Sequence, residues 1–493
     1  MRARELIRNL QGRMDPSPYD IAWMARVPNA AGDGPHWPEL LEWLIVNQWL
    51  DGSWGGAVHY YHDRILCTLA SLIALKQYGT GQEASQAIDR AERYVWHNLH
   101  RLNHDPFELV GFELIFPTLI MEALSLGLDV PTHTCGYGQI RRKKLALIPP
   151  DLLYSPNVTT VHSLEFLGKE GDPAKMRKAL AANGSLGNSP AATSYYILQS
   201  GDDGPATTYL CDMLDQNENV IYLYPCRIFE LAWALHNLSF CHHPLAGWVD
   251  DSCWEQLSGN LSEFGIGLDP TFGIEDGDIT SVTMRLLTLA GHSIDPGILA
   301  KFEKDDHTFR TYDYELNTSI GTNIHALETL RLLPDYHQRE RSRDCILAFL
   351  MAHRIFDTYW MDKWHASPYY ATAHVLGGIA RCAPEILPEC GRAIEWIIHT
   401  QREDGSWGFF HQSTAEETAY ALIALLLCRE QFSAPEDILK QGVYFLHQEM
   451  SNGLDNYYYP PLWLGKPLYV PHDIVQSSVL AALILYEETF GAL

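Results

Sequence analysis

The pattern Gln-x-x-Asp-Gly-Ser-Trp-Gly occurs twice, at residues 48–55 (QWLDGSWG) and 401–408 (QREDGSWG), separated by most of the 493-residue chain. One match could be chance, whereas two identical DGSWG cores point to an internally repeated architecture. An Asp-Gly pair favours a tight turn, because glycine accepts positive φ and the Asp side chain bonds to nearby backbone amides. Each copy follows an apolar helical stretch, 40–49 or 394–398, and precedes another, 65–75 or 419–428. The unit is therefore helix, turn, helix, with the Gln bonding to backbone at a helix start and the Trp packing over the turn. A degenerate third copy lies at 183–188 (NGSLGN). No such hairpin buries its apolar face alone, so the units pack side by side. On this reading the Gln and Trp residues hold the fold together.

Elsewhere helical periodicity dominates, as in Ile65, Leu66, Leu69, Leu72 and Ile73, in Leu286, Leu287 and Leu289, and in Leu422, Ile423, Leu425 and Leu426. No sustained alternation argues for a sheet, so the expected fold is all-α, as two toroids of paired helices. The length suggests two or three domains. Only 19% of residues are charged while 11% are aromatic, so much aromatic surface is buried or lines a cavity. A formal charge of -26 argues against nucleic acid as a partner. No apolar run reaches the length of a membrane span, and residues 1–10 (MRARELIRNL) lack the apolar core of a secretion signal, so a cytoplasmic protein is expected. The ten cysteines are scattered without C-x-x-C spacing, which indicates neither a zinc site nor a disulfide framework. Proline-rich breaks at 148–156 (IPPDLLYSP) and 457–471 (YYYPPLWLGKPLYVP) read as structured loops, because aromatics are interleaved with the prolines.

Chemistry enters at 272–285, FGIEDGDITSVTMR. Asp276 and Asp278 flank a glycine at the start of an apolar helix, with Thr280 as a candidate cap. Two carboxylates so close resist joint ionisation, which raises the pKa of one. A protonated carboxylic acid among aromatic walls is an acid able to protonate an alkene. The same residues also suit a solvated helix start whose acids complement the helix dipole.

Taken together, the motifs resemble those of the class II diterpene cyclases, the copalyl diphosphate synthase family. The segment 19–23 (YDIAW) followed by QWLDGSWG resembles the family's Y-D-T-A-W and first Q-x-x-D-G-S-W-G. Segments 111–117 (GFELIFP), 124–129 (LSLGLD), 144–149 (KLALIP), 162–165 (HSLE) and 224–230 (YPCRIFE) follow in the family's order. The match covers nearly the whole chain. It implies two α/α toroids, with a γ domain (15–259) inserted after the first helix of a β domain (1–14 and 260–493), and a cavity between them. It also implies an intramolecular lyase or isomerase acting on geranylgeranyl diphosphate.

The family's acid motif, D-x-D-D-T, is matched by Asp276, Gly277, Asp278, Ile279 and Thr280, so the resemblance makes Asp278 the proton donor and Asp276 its tuning carboxylate. Ile279 replaces the last Asp, which leaves open a shorter farnesyl substrate and a drimenyl-type product. Asn323, in TNIHAL, matches the Asn that bonds to the unused face of the catalytic carboxyl. His162 matches the family's water-holding His, but Tyr222 stands where the partner Asn is expected. That change favours a rearranged bicycle, kolavenyl or halimadienyl, over a copalyl product. The diphosphate would be held by Lys144, in the basic run RRKK at 141–144, and by Lys363. Asp105 and Glu108, in NHDPFELV, are the expected oxygen ligands for Mg²⁺. Trp360, Trp364, Tyr369, Tyr370, Trp407, Phe409 and Phe410 are candidates to stabilise the cation through their π faces.

The segment 250–255 (DDSCWE) superficially resembles the metal motif of class I enzymes, but no second such motif follows, and it reads as a solvated interdomain segment. The product should therefore keep its diphosphate and pass to a separate class I terpene synthase or a phosphatase. A triterpene cyclase shares the toroids, but this chain lacks a dense C-terminal series of Gln-Trp repeats. A protein prenyltransferase β-subunit would need zinc ligands. A non-catalytic toroid binding module, with Asp276 and Asp278 as surface charges, is the non-enzyme alternative.

Overall fold

A computed structural model describes residues 2–201, 204–451 and 459–491; Tyr457 and Tyr458, which open the second proline-rich break, lie outside them. Six helices close a ring in which each packs against the next and the last against the first: Arg227–Leu238, Gly277–Leu289, Ile320–Leu332, Pro368–Cys382, Ala415–Leu427 and His472–Phe490. A smaller ring closes from Pro18–Met24, Tyr61–Tyr78, Phe112–Ser125, the 3-10 segment Thr159–Glu170 and Pro190–Ser200. Burial separates inner from outer helices. Ile320–Leu332 is buried at every position from Ile320 to Leu330, whereas the outer helix Gly391–His399 buries only Ala393, Ile394 and Ile397. A helix buried on every face is enclosed by its neighbours, its polar side chains bonded inside, and one with a single buried stripe lies against them. The fold is an all-α pair of toroids, with one short hairpin of strands Trp463–Leu464 and Leu468–Tyr469.

The repeated turns stitch the rings together. In each, a backbone N–H donates to a side chain of the inner helix that follows: Trp54 to Thr68 (3.1 Å), Leu186 to Thr193 (3.0 Å), Ile266 to Thr280 (3.0 Å), Phe309 to Asn323 (2.8 Å), Trp360 to Thr372 (3.1 Å) and Trp407 to Thr418 (2.9 Å). The indole N–H groups of Trp54, Trp360 and Trp407 each donate at 2.7 Å to a carbonyl of the preceding helix, at Leu44, Leu350 and Ile397. Gln48 and Gln401 reach an outer helix instead, donating to Ala87 O and Ile438 O as well as to their own turn. Gly52 and Gly405 have φ of 93° and 86°, and a Cβ there would lie 2.5 Å from Arg90 O and 2.6 Å from Gln441 O. Thus only glycine fits both the turn and the helix crossing over it.

Two sequence expectations move. Helix Arg227–Leu238 belongs to the six-helix ring and Asp251–Asn260 packs on its outside, so the boundary drawn at 259/260 shifts to near residue 222. The apolar face carrying Ile228, Leu231 and Leu235 is buried in that ring's core, whereas the resemblance placed these residues in the γ domain. Segment 250–255 is not a free solvated stretch. Asp250 pairs with Arg4 (3.2 Å) and Arg8 (2.7 Å), and Trp254 is buried.

The hairpin joins the rings. Leu462, Leu464 and Leu468 sit in the smaller ring's core, and Lys466 is fully buried there. Its Nζ donates to Glu165 Oε1 (2.7 Å), His162 O (2.8 Å) and Ser189 Oγ (2.5 Å).

Candidate active site

The helix Gly277–Leu289 starts where Asp276 caps it, Oδ1 accepting from Asp278 N (2.7 Å) and Ile279 N (2.9 Å). Thr280 is not the cap. Its hydroxyl is taken by the Ile266 amide of a repeated turn. Asp276 and Asp278 are both 5% exposed and line one cavity, so the solvated helix start does not describe them. Burial first, and then the Asp278 charge, push the Asp276 carboxyl up to about 7.

The carboxyl of Asp278 is held from behind by a residue the sequence reading missed. His325 Nδ1 lies 2.6 Å from Asp278 Oδ1, and His325 Nε2 lies 2.8 Å from His374 Nδ1. Burial opposes the charged form of His325, but the Asp278 charge and hydrogen bond outweigh it and raise its pKa. Asn323 does not reach Asp278. Its Oδ1 accepts from Phe309 N (2.8 Å), and its Nδ2 donates to Phe309 O (3.0 Å) and Ser319 O (2.8 Å). Asn323 is the side chain that a repeated turn needs, 14 residues after Phe309, as Thr68 is 14 after Trp54. That spacing was the available signal.

Asp362, also unforeseen, is a third buried carboxyl. Its Oδ1 accepts from Ser319 Oγ and Ile320 N, both at 2.9 Å, and its Oδ2 is buried without a partner among the described residues. Burial, and then the Asp278 charge, raise its pKa.

His162 and Tyr222 meet in the same cavity. His162 Nδ1 lies 2.7 Å from Gly187 O, so this nitrogen carries the hydrogen, and Nε2 accepts from the Tyr222 hydroxyl at 3.0 Å. Burial, and then the charge of Lys466, pull the His162 pKa down to about 3, which keeps the ring neutral. A chain of ring contacts joins this pair to the acid. From His325 it runs to Trp233 (5.8 Å between centroids), Phe229 (5.3 Å), Trp463 (5.7 Å), Tyr469 (6.3 Å), Tyr222 (5.0 Å) and His162 (5.4 Å).

Of the expected aromatic wall, Trp364 and Tyr370 line the cavity. Trp360 and Trp407 are turn staples, and Tyr369 bonds to Thr400 (2.8 Å) and stacks on Trp396. Phe409 is 41% exposed and Phe410 packs outside the cavity. Their place was taken by Phe229, which lies in the segment YPCRIFE, and by Trp233, Trp463 and Tyr469, which carry no family motif.

Lys144 and Lys363 line the cavity and are anchored on one loop, Lys144 Nζ donating to Tyr314 O (2.5 Å) and Lys363 Nζ to Glu315 Oε2 (2.6 Å) and Asn317 O (2.7 Å). Arg141, in the same basic run, is spent on Leu114 O and Thr118 Oγ1. Burial, and then the Glu113 and Lys363 charges in opposite senses, leave the Lys144 pKa lowered. Glu108 lines the cavity beside Glu113, whose carboxyl senses the Lys144 charge. Asp105 does not. Its Oδ2 is held at 2.8 Å by both the backbone N and the Nδ1 of His62. The hard-oxygen groups lining the cavity on this side are Glu108, Glu113, Asp313 and Glu315, of which Asp313 pairs with Arg310 and Glu315 with Lys363, leaving Glu108 and Glu113 outside those ion pairs.

Comparison with known proteins gives consistent relatives. A family model for the squalene-hopene cyclase C-terminal domain matches residues 318–459. A type B diterpene cyclase from Mycobacterium tuberculosis is 32% identical over 504 residues, covering 96% of this chain and 95% of its own. A chloroplastic syn-copalyl diphosphate synthase from Oryza sativa is 34% identical over 376 residues, which are 73% of this chain but 48% of the rice protein. Among solved structures, an ent-copalyl diphosphate synthase from Streptomyces platensis superposes with a TM-score of 0.78 at 26% identity, covering 98% of both chains.

Proposed function

Because the chain belongs to the class II, or type B, diterpene cyclases, we propose that it cyclises geranylgeranyl diphosphate by protonating the alkene farthest from the diphosphate, which it retains. The observation that carries this reading is the buried Asp278, which lines the cavity while His325 holds its Oδ1 at 2.6 Å. In the reacting form the second oxygen of Asp278 carries the proton that is given away, while Oδ1 accepts from the Nδ1–H of His325. The O–H bond breaks as a C–H bond forms on the substrate, and the new carboxylate is met by the N–H of His325. That donor is in place before the reaction, which is where electrostatic catalysis gains most. The cation then migrates by successive ring closures past the faces of Trp233, Phe229, Trp463 and Tyr370, with water excluded.

Termination falls to Tyr222 and His162. The Tyr222 oxygen takes the proton of the final C–H bond as its own proton passes to His162 Nε2, leaving an alkene and an imidazolium. A carbocation is acidic enough that a weakly basic imidazole suffices. This pair replaces a bound water, and supports a rearranged kolavenyl or halimadienyl product over a copalyl one. Lys144 and Lys363 bind the diphosphate. Glu108 and Glu113 would hold Mg²⁺, which when bound supplies charge to offset the diphosphate. The product keeps its diphosphate and so suits a class I synthase or a phosphatase as the next enzyme.

The test is incubation of the purified protein with Mg²⁺ and either geranylgeranyl or farnesyl diphosphate, then dephosphorylation and mass spectrometry. A bicyclic twenty-carbon alcohol is expected, and its skeleton tests the rearrangement. A fifteen-carbon bicycle alone would move the assignment to a farnesyl substrate, and no product from either would overturn the reading.

A further inference from the structure

A second cleft shares no lining residue with the reaction cavity. The outer helix Gly81–Asn98 and the 3-10 turn after it, Leu99–His104, contribute Arg90, Arg93, His97 and Arg101. Spacings of three, four and four residues put these on one helical face. His59 from the smaller ring and His411 from the larger complete the basic lining.

This is unusual for a chain of 61 acidic against 35 basic residues. Several arginines elsewhere pair with carboxylates, as do Arg227 with Asp269, Arg381 with Glu328 and Arg8 with Asp250. The cleft arginines do not. Arg90 is held by the amide oxygen of Gln48 and Arg101 by the Tyr61 hydroxyl at 3.0 Å, both uncharged acceptors. Arg93 has no carboxylate within ion-pair distance among the described residues. Asp51, the one carboxylate in the lining, already accepts from Ser53 N (3.0 Å) and Ser53 Oγ (2.6 Å) and lies 3.9 Å from the buried Arg64. His97 Nδ1 is occupied by Arg93 O at 2.6 Å, which leaves Nε2 available. Tyr94, 5% exposed, also lines the cleft, and its buried hydroxyl has no partner among the described residues. The guanidinium groups are thus oriented by neutral groups, uncompensated in charge and accompanied by an orphaned donor.

We propose that this cleft binds a diphosphate group, either as the free anion or as the head of an isoprenoid diphosphate. Arg90, Arg93, His97 and Arg101 follow one another at intervals of about one helical turn, about 5.4 Å along the axis. Two adjacent phosphoryl groups match that repetition better than a single carboxylate does, and the planar guanidinium fork favours phosphate oxygens.

The test begins from the Lys144→Gln/Lys363→Gln variant, in which the reaction cavity has lost its cations. Inorganic diphosphate, titrated into it at low salt by calorimetry, should bind at one site. Adding Arg93→Gln and Arg101→Gln should weaken that binding at least tenfold, and raising the ionic strength should weaken it in the parent variant. The Arg93→Gln/Arg101→Gln protein with intact lysines should keep its cyclase rate, which separates this site from the reaction cavity. A parallel titration with a non-reactive geranylgeranyl diphosphate analogue identifies the source: tighter binding than the inorganic anion means a prenyl diphosphate, and equal binding means the free anion. No saturable binding of either probe, or binding that survives loss of both arginines, would overturn the proposal.

Discussion

His325 and Asn323 lie two residues apart on one inner helix, and the structure assigns them opposite jobs. Replacing His325 by Leu removes the 2.6 Å bond to Asp278. A hydrogen bond to a charged group is worth about 1.5–3 kcal/mol, and here it is needed most when the carboxylate has formed. Loss of that amount from the transition state lowers kcat by roughly 10- to 150-fold. KM should change little, because His325 does not line the cavity, and His374 keeps a second neighbour in His236 at 3.3 Å. Asn323→Ala instead strands the buried Phe309 amide and weakens two carbonyl contacts. Each orphaned group costs about 1–3 kcal/mol, so roughly 2–4 kcal/mol of stability should go. The assays are steady-state product formation from geranylgeranyl diphosphate, at a temperature where both variants are folded, and thermal unfolding by circular dichroism. We expect a slow His325→Leu protein and an active Asn323→Ala protein that melts several degrees early. If Asn323→Ala were inactive at an unchanged melting temperature while His325→Leu kept its kcat, the assignment of the partner of Asp278 would be wrong.

Three further outcomes follow from the same geometry. Lys144→Gln should raise KM for the prenyl diphosphate while kcat stays within a few-fold, since the diphosphate is bound alike in ground and transition states; a pure kcat effect would argue against diphosphate binding at Lys144. Lys466→Met leaves Glu165 buried with only the Tyr19 hydroxyl at 3.0 Å, and removing one partner of a buried pair costs about 3–5 kcal/mol, so early loss of the fold is expected in urea. Asp20 and Asp276 both have carboxyls raised to about 7, chiefly by burial. Between about pH 4 and pH 7 the folded form therefore holds protons that the unfolded chain has lost, so these groups make stability fall as pH rises through that window and level off above it. Urea midpoints across pH 5 to 8 should show the decline, with a shallower slope in Asp276→Asn; an equal slope in that variant would remove Asp276 from the account.

The toroid architecture was legible because its parts are local. The DGSWG turns need glycine at positive φ and a Trp beside it, and both requirements are written within eight residues. Three further turns escaped notice, since Phe309, Ile266 and Trp360 make the same bond to the next helix without the surrounding letters. Asp276, Asp278, His162, Tyr222, Lys144 and Lys363 were found by their motifs, and all six line one cavity. The misassignments share a cause. Asn323, Asp105, Trp360 and Trp407 are residue types fit for chemistry, but their polar atoms are already engaged by backbone or by His62, which a pattern of letters does not record.

The sequence by itself determined the helical repeat, the acid at a helix start and the family, because turn chemistry, helix capping and apolar periodicity act over a few residues. Tertiary structure alone decided which imidazole backs the acid, which rings wall the cavity and where three arginines stand free of carboxylates. Those outcomes depend on the rotation of each inner helix about its own axis and on a hairpin passing from one ring into the other. Both are set by close packing between segments hundreds of residues apart, where a turn of one helix by a single position exchanges the side chain that faces the cavity for the one that faces the core.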